Sequence, residues 1–125
     1  MLQPYLFPST ADKPKVILDP HNGIFEISGK SFPGNVNVFY DPIIDWLEQY
    51  AQNPIDETVF HMKLDYFNSS SAKKIAAMIL VFEKIYINGH NAKVIWYYKS
   101  DDEAVKERGE DINIAMKIPF ELRAI

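Results

Sequence analysis

Residues 57–98 read ETVFHMKLDYFNSSSAKKIAAMILVFEKIYINGHNAKVIWYY, and the change of period along them decides the fold. From Glu57 to Tyr66 the chain alternates. Phe60, Met62, Leu64 and Tyr66 fall on one side and Val59, His61, Lys63 and Asp65 on the other, the pattern of a half-buried strand. After Asn68-Ser69-Ser70-Ser71 the apolar residues Ile75, Met78, Ile79, Phe82, Ile85 and Tyr86 recur at steps of three and four, which places them on one helix face. Asn88-Gly89 ends that helix. Asn91 to Tyr98, with Val94, Ile95, Trp96, Tyr97 and Tyr98, is aromatic and β-branched at consecutive positions, which predicts an interior strand covered on both faces. Strand, helix and strand in this order make a βαβ unit with a right-handed crossover.

Outward from this unit, Lys15 to Asp19 and Gly23 to Ser28 are two further strands. Asp19-Pro20-His21-Asn22-Gly23 supplies the turn between them, since Asn and Gly tolerate positive φ at low cost. Ser28 to Asn35 reads as a loop. A helix follows, with Asp41 as its cap, Pro42 at the first helical position, Ile43, Leu47 and Tyr50 on one face, and Asn53-Pro54 as its stop. Beyond Tyr98, residues 101–111 form a short exposed helix broken by Gly109, and Asn113 to Leu122 a last strand kept at an edge by Pro119. Residues 1–14, with Pro4, Pro8 and Pro14, are an N-terminal arm that lies on the domain or frays, and residues 15–125 form a single domain. The expected class is α/β: one mixed β-sheet with helices packed on it, in the order ββαβαβ(α)β.

Composition narrows the function. The 125 residues carry a formal charge of −4, are 47% hydrophobic and include no cysteine. One core fits this length and hydrophobicity. The missing cysteines exclude a disulfide framework, a Cys-ligated metal and a thiol nucleophile, and fit a reducing cytoplasm. The negative charge argues against nucleic acid, whose binders gather Lys and Arg on one face. The longest apolar run, Ile75 to Phe82, is 8 residues, less than half of what a membrane-spanning helix needs. A membrane partner is therefore not expected.

Candidate chemistry is sparse. His21, His61 and His90 lie in separate settings with no nucleophile and orienting group spaced around them, so the chain does not read as an enzyme and no cofactor is implied. Gly29-Lys30-Ser31 resembles the tail of a phosphate loop, but Gly23 lies one residue too far back and Phe32-Pro33 follows where a helix should start. The acidic residues Asp101, Asp102, Glu103, Glu107, Glu110 and Asp111 lack the alternating spacing of a calcium loop and read as a solvated or partner-facing surface.

The serine cluster is the richest feature. Its ordinary role is capping, with Ser69 or Ser70 accepting from a first-turn N–H. With Ser70 as the cap, Lys73 stands at the third helical position, so no capping box forms. Lys73-Lys74 moreover put positive charge at the positive end of the helix dipole. A phosphate on Ser69 would supply the missing negative group and meet free N–H groups and a nearby lysine.

From about Lys15 to the C-terminus the sequence resembles the SiaC family of bacterial regulatory phosphoproteins. The resemblance is carried by Ile27-Ser28-Gly29-Lys30-Ser31-Phe32-Pro33-Gly34-Asn35, Ile44-Asp45-Trp46-Leu47, Asp65-Tyr66-Phe67-Asn68-Ser69-Ser70-Ser71, Val94-Ile95-Trp96-Tyr97-Tyr98, Asp101-Asp102-Glu103 and Gly109-Glu110-Asp111. It implies a STAS-like fold and a non-enzymatic cytoplasmic switch. In such a switch a Ser/Thr kinase phosphorylates the hydroxyl after the Asn of the N-[TS]-S-S motif, here Ser69, and a metal-dependent phosphatase reverses it. Asn68, Ser70, Ser71 and Lys73 would then surround the phosphosite, and Phe32, Asn35, Tyr66, Asp101, Asp102 and Glu103 would meet a partner. The resemblance further implies that the unmodified form binds and activates an output protein such as a diguanylate cyclase, in cyclic di-GMP signalling and biofilm regulation. A rival reading from the residues alone is a constitutive scaffold or small-ligand module that docks through Trp96-Tyr97-Tyr98 and the acidic helix.

Overall fold

The computed structural model describes residues 2–125. They build a six-stranded sheet whose spatial order follows the chain: β1 (Tyr5–Phe7), β2 (Lys15–Asp19), β3 (Ile24–Ser31), β4 (Glu57–Phe67), β5 (Asn91–Tyr98) and β6 (Phe120–Ala124). Three helices, α1 (Val36–Gln52), α2 (Ser69–Ile87) and α3 (Glu103–Ala115), fill the connections after β3, β4 and β5. β1, β2 and β3 pair antiparallel, and β3 through β6 pair parallel. This is the mixed α/β sheet expected from the sequence, with one added strand from the arm. Each parallel crossover steps one place in the same direction, so right-handed connections lay all three helices on the same face.

That face carries the core. Val16, Leu18, Phe25, Ile27, Phe60, Met62, Val94 and Trp96 are buried beneath the helices. The opposite face has no helix over it among the described residues, which corrects the expectation for β5. Ile95 and Tyr97 are nonetheless buried there, and long neighbouring side chains surround Tyr97. Lys63 Nζ stands 5.0 Å and the Arg123 guanidinium 5.5 Å from the Tyr97 ring, and His61 Nδ1 lies 2.8 Å from its hydroxyl. Alkyl stems of Lys and Arg cover apolar surface as a helix would. The two kinds of cover leave the same pattern in the strand.

Five further boundaries differ from expectation. β3 runs on to Ser31, because residues 28–31 pair with β4 where a loop was expected. The arm adds β1 to the sheet edge against β2, and Trp46 Nε1 donates to the Gln3 carbonyl at 2.8 Å. α1 begins at Val36, capped by Asn35, whose Oδ1 accepts from Val38 N–H at 3.2 Å, so Asp41 is not the cap. Pro42 then lies inside the helix. It faces solvent, as does Val38, so the carbonyl that a proline leaves unpaired lies on the exposed side of the helix. α3 continues through Gly109 to Ala115, because Gly109 is a packing position and not a break: a Cβ there would stand 2.5 Å from Trp96 Cδ1. Residues 113–115 are consequently helical, and only Phe120–Ala124 form the last strand. That strand is the sheet edge expected from Pro119.

Candidate functional site

The parallel strands β3, β4 and β5 all end on one side of the sheet, and each feeds the N-terminus of a helix there. The caps Asn35, Asn68 and Asp102 stand along that edge, each side chain accepting from the backbone N–H three residues on. Carboxyl ends of parallel strands are where open α/β sheets place their sites. Here the edge is electropositive at α1 and α2, whose first turns hold no acidic residue. A broader hollow of about 520 Å³ lies at the far end, beside Pro20, Tyr50 and Pro54, and has no catalytic grouping in it.

A bulge shapes the approach to α2. Gly29 pairs Leu64, and Lys30 then pairs Tyr66, so Asp65 is an extra residue in β4. One added residue moves everything after it to the other face. Tyr66, expected on the core side with Phe60 and Leu64, is instead 52% exposed. Phe67 turns inward, edge-on to Trp96 at 5.9 Å between centroids. Outside, Tyr66 meets exposed Phe32 edge-on at 5.9 Å, and the two rings form an aromatic ledge.

The three serines that follow have different fates. Asn68 is the cap of α2: its Oδ1 accepts from Ser71 N–H at 2.9 Å and its carbonyl from Ala72 N–H at 2.9 Å. Neither Ser69 nor Ser70 caps the helix, contrary to the simplest sequence reading, because Asn68 already occupies the extended position from which a cap reaches back. Asn68→Ala should lower stability by about 1 kcal/mol in urea denaturation, and Asn68→Asp should keep most of it.

Ser71 is fully buried. Its Oγ donates to the Ser31 carbonyl at 3.1 Å and accepts from Ser31 Oγ at 2.8 Å. With the Ser31 proton so engaged, the 2.5 Å contact between Ser31 Oγ and Tyr40 OH requires Tyr40 to donate. Burial pushes the Tyr40 phenol up to about 12, against the weaker opposite pull of the serine hydroxyls, so this donor stays protonated. The relay runs from Tyr40 to Ser31, to Ser71, to the Ser31 carbonyl, and Asn68 N–H donates to the same carbonyl at 3.1 Å. It locks α1, β3 and α2 together beneath the surface.

Ser69 and Ser70 are exposed. Ser69, the first residue of α2, lines a groove of about 360 Å³ between the end of β4 and the start of α3, together with Asp65, Phe67, Asp102 and Arg108. The first-turn amides of Ser69 and Ser70 have no acceptor among the described residues. Lys73 follows Ser69 by one turn and is exposed, while Lys74 is paired with Asp41 at 2.7 Å.

Of the residues read from the sequence, Asn68, Ser69, Tyr66 and Asp102 converge on this groove or its rim. Phe32 joins them through Tyr66, and Asn35 caps α1 on the same edge. Asp101 and Glu103 flank the α3 cap without lining the groove, and Ser71 faces the interior. Arg108 is the groove residue that sequence reasoning missed. No spacing in the sequence pointed to it, because its direction is set by the close seating of Gly109 against Trp96. The histidines are scattered: His21 and His90 are exposed at turns, and His61 bonds Tyr97 on the open face. Among the described residues no group of three or more His, Asp and Glu side chains is placed to hold a metal, and no helix is long and apolar enough to cross a membrane.

Comparison with known proteins agrees with this fold. The chain is 27% identical over 120 residues to an uncharacterized protein of Pseudomonas aeruginosa strain UCBPP-PA14, a match spanning 94% of the chain and 93% of that protein. Apo-SiaC from Pseudomonas aeruginosa has the same fold, with a TM-score of 0.90, 24% identity and coverage of 98% of this chain and 100% of that one. SiaC in complex with the diguanylate cyclase SiaD, which it activates, superposes equally well: TM-score 0.90, 25% identity, 97% of this chain and 99% of that one. The model of the SiaC family regulatory phosphoproteins matches residues 7–125. With nearly the whole length matched, the chain belongs to the SiaC family of regulatory phosphoproteins.

Proposed function

We propose that this chain is a non-enzymatic, cytoplasmic partner switch in which Ser69 is the phosphorylated residue. A cognate Ser/Thr kinase adds the phosphate and a metal-dependent phosphatase removes it. The unmodified form binds and activates an output protein, a diguanylate cyclase by analogy with the partner of the related SiaC. The observation that carries the reading is the contrast between an exposed Ser69 hydroxyl at the open mouth of α2 and a Ser71 hydroxyl spent inside the core. A modifying enzyme reaches the first and not the second.

The partner surface is the ledge beside it: Phe32 and Tyr66, flanked by Asn35 and by Asp101, Asp102 and Glu103. Exposed aromatic pairs with a polar rim are the composition of interface anchors. A neutral hydroxyl at the margin of such a contact is harmless. A group of charge about −1.5 to −2 there must be desolvated against the partner and adds to the acidic side chains around it.

The rival docking surface loses its support, because Trp96 and Tyr97 are buried and Trp96 Nε1 is committed to the Val105 carbonyl at 3.0 Å. The test is incubation with the cognate Ser/Thr kinase, followed by mass spectrometry and measurement of binding to the cognate diguanylate cyclase. The expected result is one phosphate on Ser69, none on Ser69→Ala, and at least a tenfold loss of affinity on modification, about 1.4 kcal/mol or more. Ser69→Ala should keep binding, and Ser69→Asp should weaken it only in part, having less charge than phosphate. Phosphate elsewhere with Ser69 untouched would overturn the assignment.

A further inference from the structure

We infer that Arg108 receives the Ser69 phosphate within the same molecule, so that modification ties the start of α2 to α3. The inference rests on the reading of Ser69 above and adds to it a residue from another helix.

Three features of the groove lead there. Ser69 and Arg108 line the same groove of about 360 Å³. The Arg108 guanidinium lies 5.7 Å from the Phe67 ring centroid, and Phe67 is two residues before Ser69. Arg108 is the only cationic side chain lining the groove among the described residues, and no carboxylate there stands within 4.0 Å of it. The two carboxylates of the groove are engaged elsewhere: Asp102 accepts from Val105 N–H at 3.1 Å, and Asp65 pairs with Lys99 at 3.7 Å. What is left is a guanidinium resting on an aromatic face, with its hydrogen-bond donors free of any carboxylate.

A phosphate monoester is the group that such a fork fits. Its three oxygens accept parallel N–H bonds from guanidinium, and arginine is less tightly hydrated than lysine, so the exchange of water for phosphate is favourable. The competing candidate is Lys73, one turn along α2 from Ser69 and so on its face of the helix. Lys73 does not line the groove, and its ammonium is a single hydrated point of charge. A bond from Arg108 to the phosphate would place new charge between the aromatic ledge and the Asp101 to Glu103 turn, in the middle of the proposed partner surface.

The experiment installs phosphoserine at position 69 of the full chain by nonsense suppression, which bypasses the kinase, and follows the phosphate by ³¹P NMR against pH. An adjacent guanidinium favours the dianion. The second ionisation should therefore fall below its ordinary place near pH 6, by about half a pH unit or more relative to the same protein carrying Arg108→Gln. Arg108→Lys should restore part of the displacement and Lys73→Gln should leave most of it. Arg108 is exposed, so these variants keep the fold. Identical titrations for the parent and Arg108→Gln would overturn the inference, as would loss of the whole displacement in Lys73→Gln. Failure of the kinase to modify Ser69 would appear in the mass spectrum and not here, which separates the two readings.

Discussion

Ser71→Asp should remove most of the stability of the protein, about 3 kcal/mol or more, while Ser69→Asp should leave it unchanged or raise it by about 0.3–1 kcal/mol. The two residues stand two positions apart, which is about 200° around a helix, so one faces in and the other out. At Ser71 a carboxylate would enter a fully buried site whose hydrogen-bonding neighbours, Ser31 and Tyr40, carry no positive charge. It would replace a hydroxyl that both donates and accepts with a group that only accepts: Ser31 Oγ could still donate to it, but the Ser31 carbonyl would lose the Ser71 donor and face a negative charge instead. It would also stand near the Tyr40 phenol, which burial already holds away from ionisation. At Ser69 the same carboxylate meets a helix whose first turn holds no acidic residue. Urea denaturation followed by circular dichroism gives both numbers. A Ser71→Asp protein as stable as the parent would mean that the relay does not hold the elements together, and the choice of Ser69 over Ser71 would lose its physical basis.

The same pair shows how far sequence reasoning reaches. The alternation of residues 57–66 and the three-four spacing after Ser71 were enough to place a strand, a helix and the turn between them, because both periods persist for several repeats. What the spacing could not carry was which serine faces solvent. Asn68 and the serines after it all suit a cap, and the choice depends on backbone φ and ψ at one residue. The bulge at Asp65 was equally hidden. Tyr66 and Phe67 are adjacent aromatics, so sliding the pattern by one residue leaves a plausible strand either way. The cover over β5 is hidden for a related reason: a buried Tyr97 looks the same in sequence under a helix or under lysine and arginine side chains. In residues 112–116 the order Ile-Asn-Ile-Ala-Met fits a strand by alternation and a helix through Ile112 and Met116. The packing of those two against the core selects the helix. Family resemblance singled out Ser69, the proposed acceptor, where periodicity could not, while Arg108 lay outside both, since it depends on how α3 seats against β5.

That seating makes Trp96 the position whose loss should cost most. Trp96→Ala is expected to destabilise the protein by about 3–5 kcal/mol, with amide exchange in α3 accelerated more than in α1 or α2. The indole is 1% exposed and sits between Phe67, Phe120 and Gly109, and its N–H is the bond that holds the Val105 carbonyl at 3.0 Å. Trp96→Phe should cost less, about 1–3 kcal/mol, from the smaller ring and from loss of the indole bond to the Val105 carbonyl, which keeps its helical partner. Gly109→Ala tests the same contact from the other side. A methyl group 2.5 Å from Trp96 Cδ1 must push the helix off the sheet, at about 1–3 kcal/mol, which outweighs the gain of at most about 1 kcal/mol in helix propensity. If the indole is what excludes a side chain at 109, the two changes together should cost clearly less than their sum, because the smaller ring makes room. Strict additivity would show that Gly109 is required for some other reason. The functional consequence follows from the same geometry. Asp102, Val105 and Arg108 form one wall of the groove at Ser69, so any variant that lifts α3 from Trp96 removes that wall while leaving Ser69 exposed and the α2 cap intact. Such a protein should still accept phosphate on Ser69 but no longer hold it, which would part modification from its structural effect.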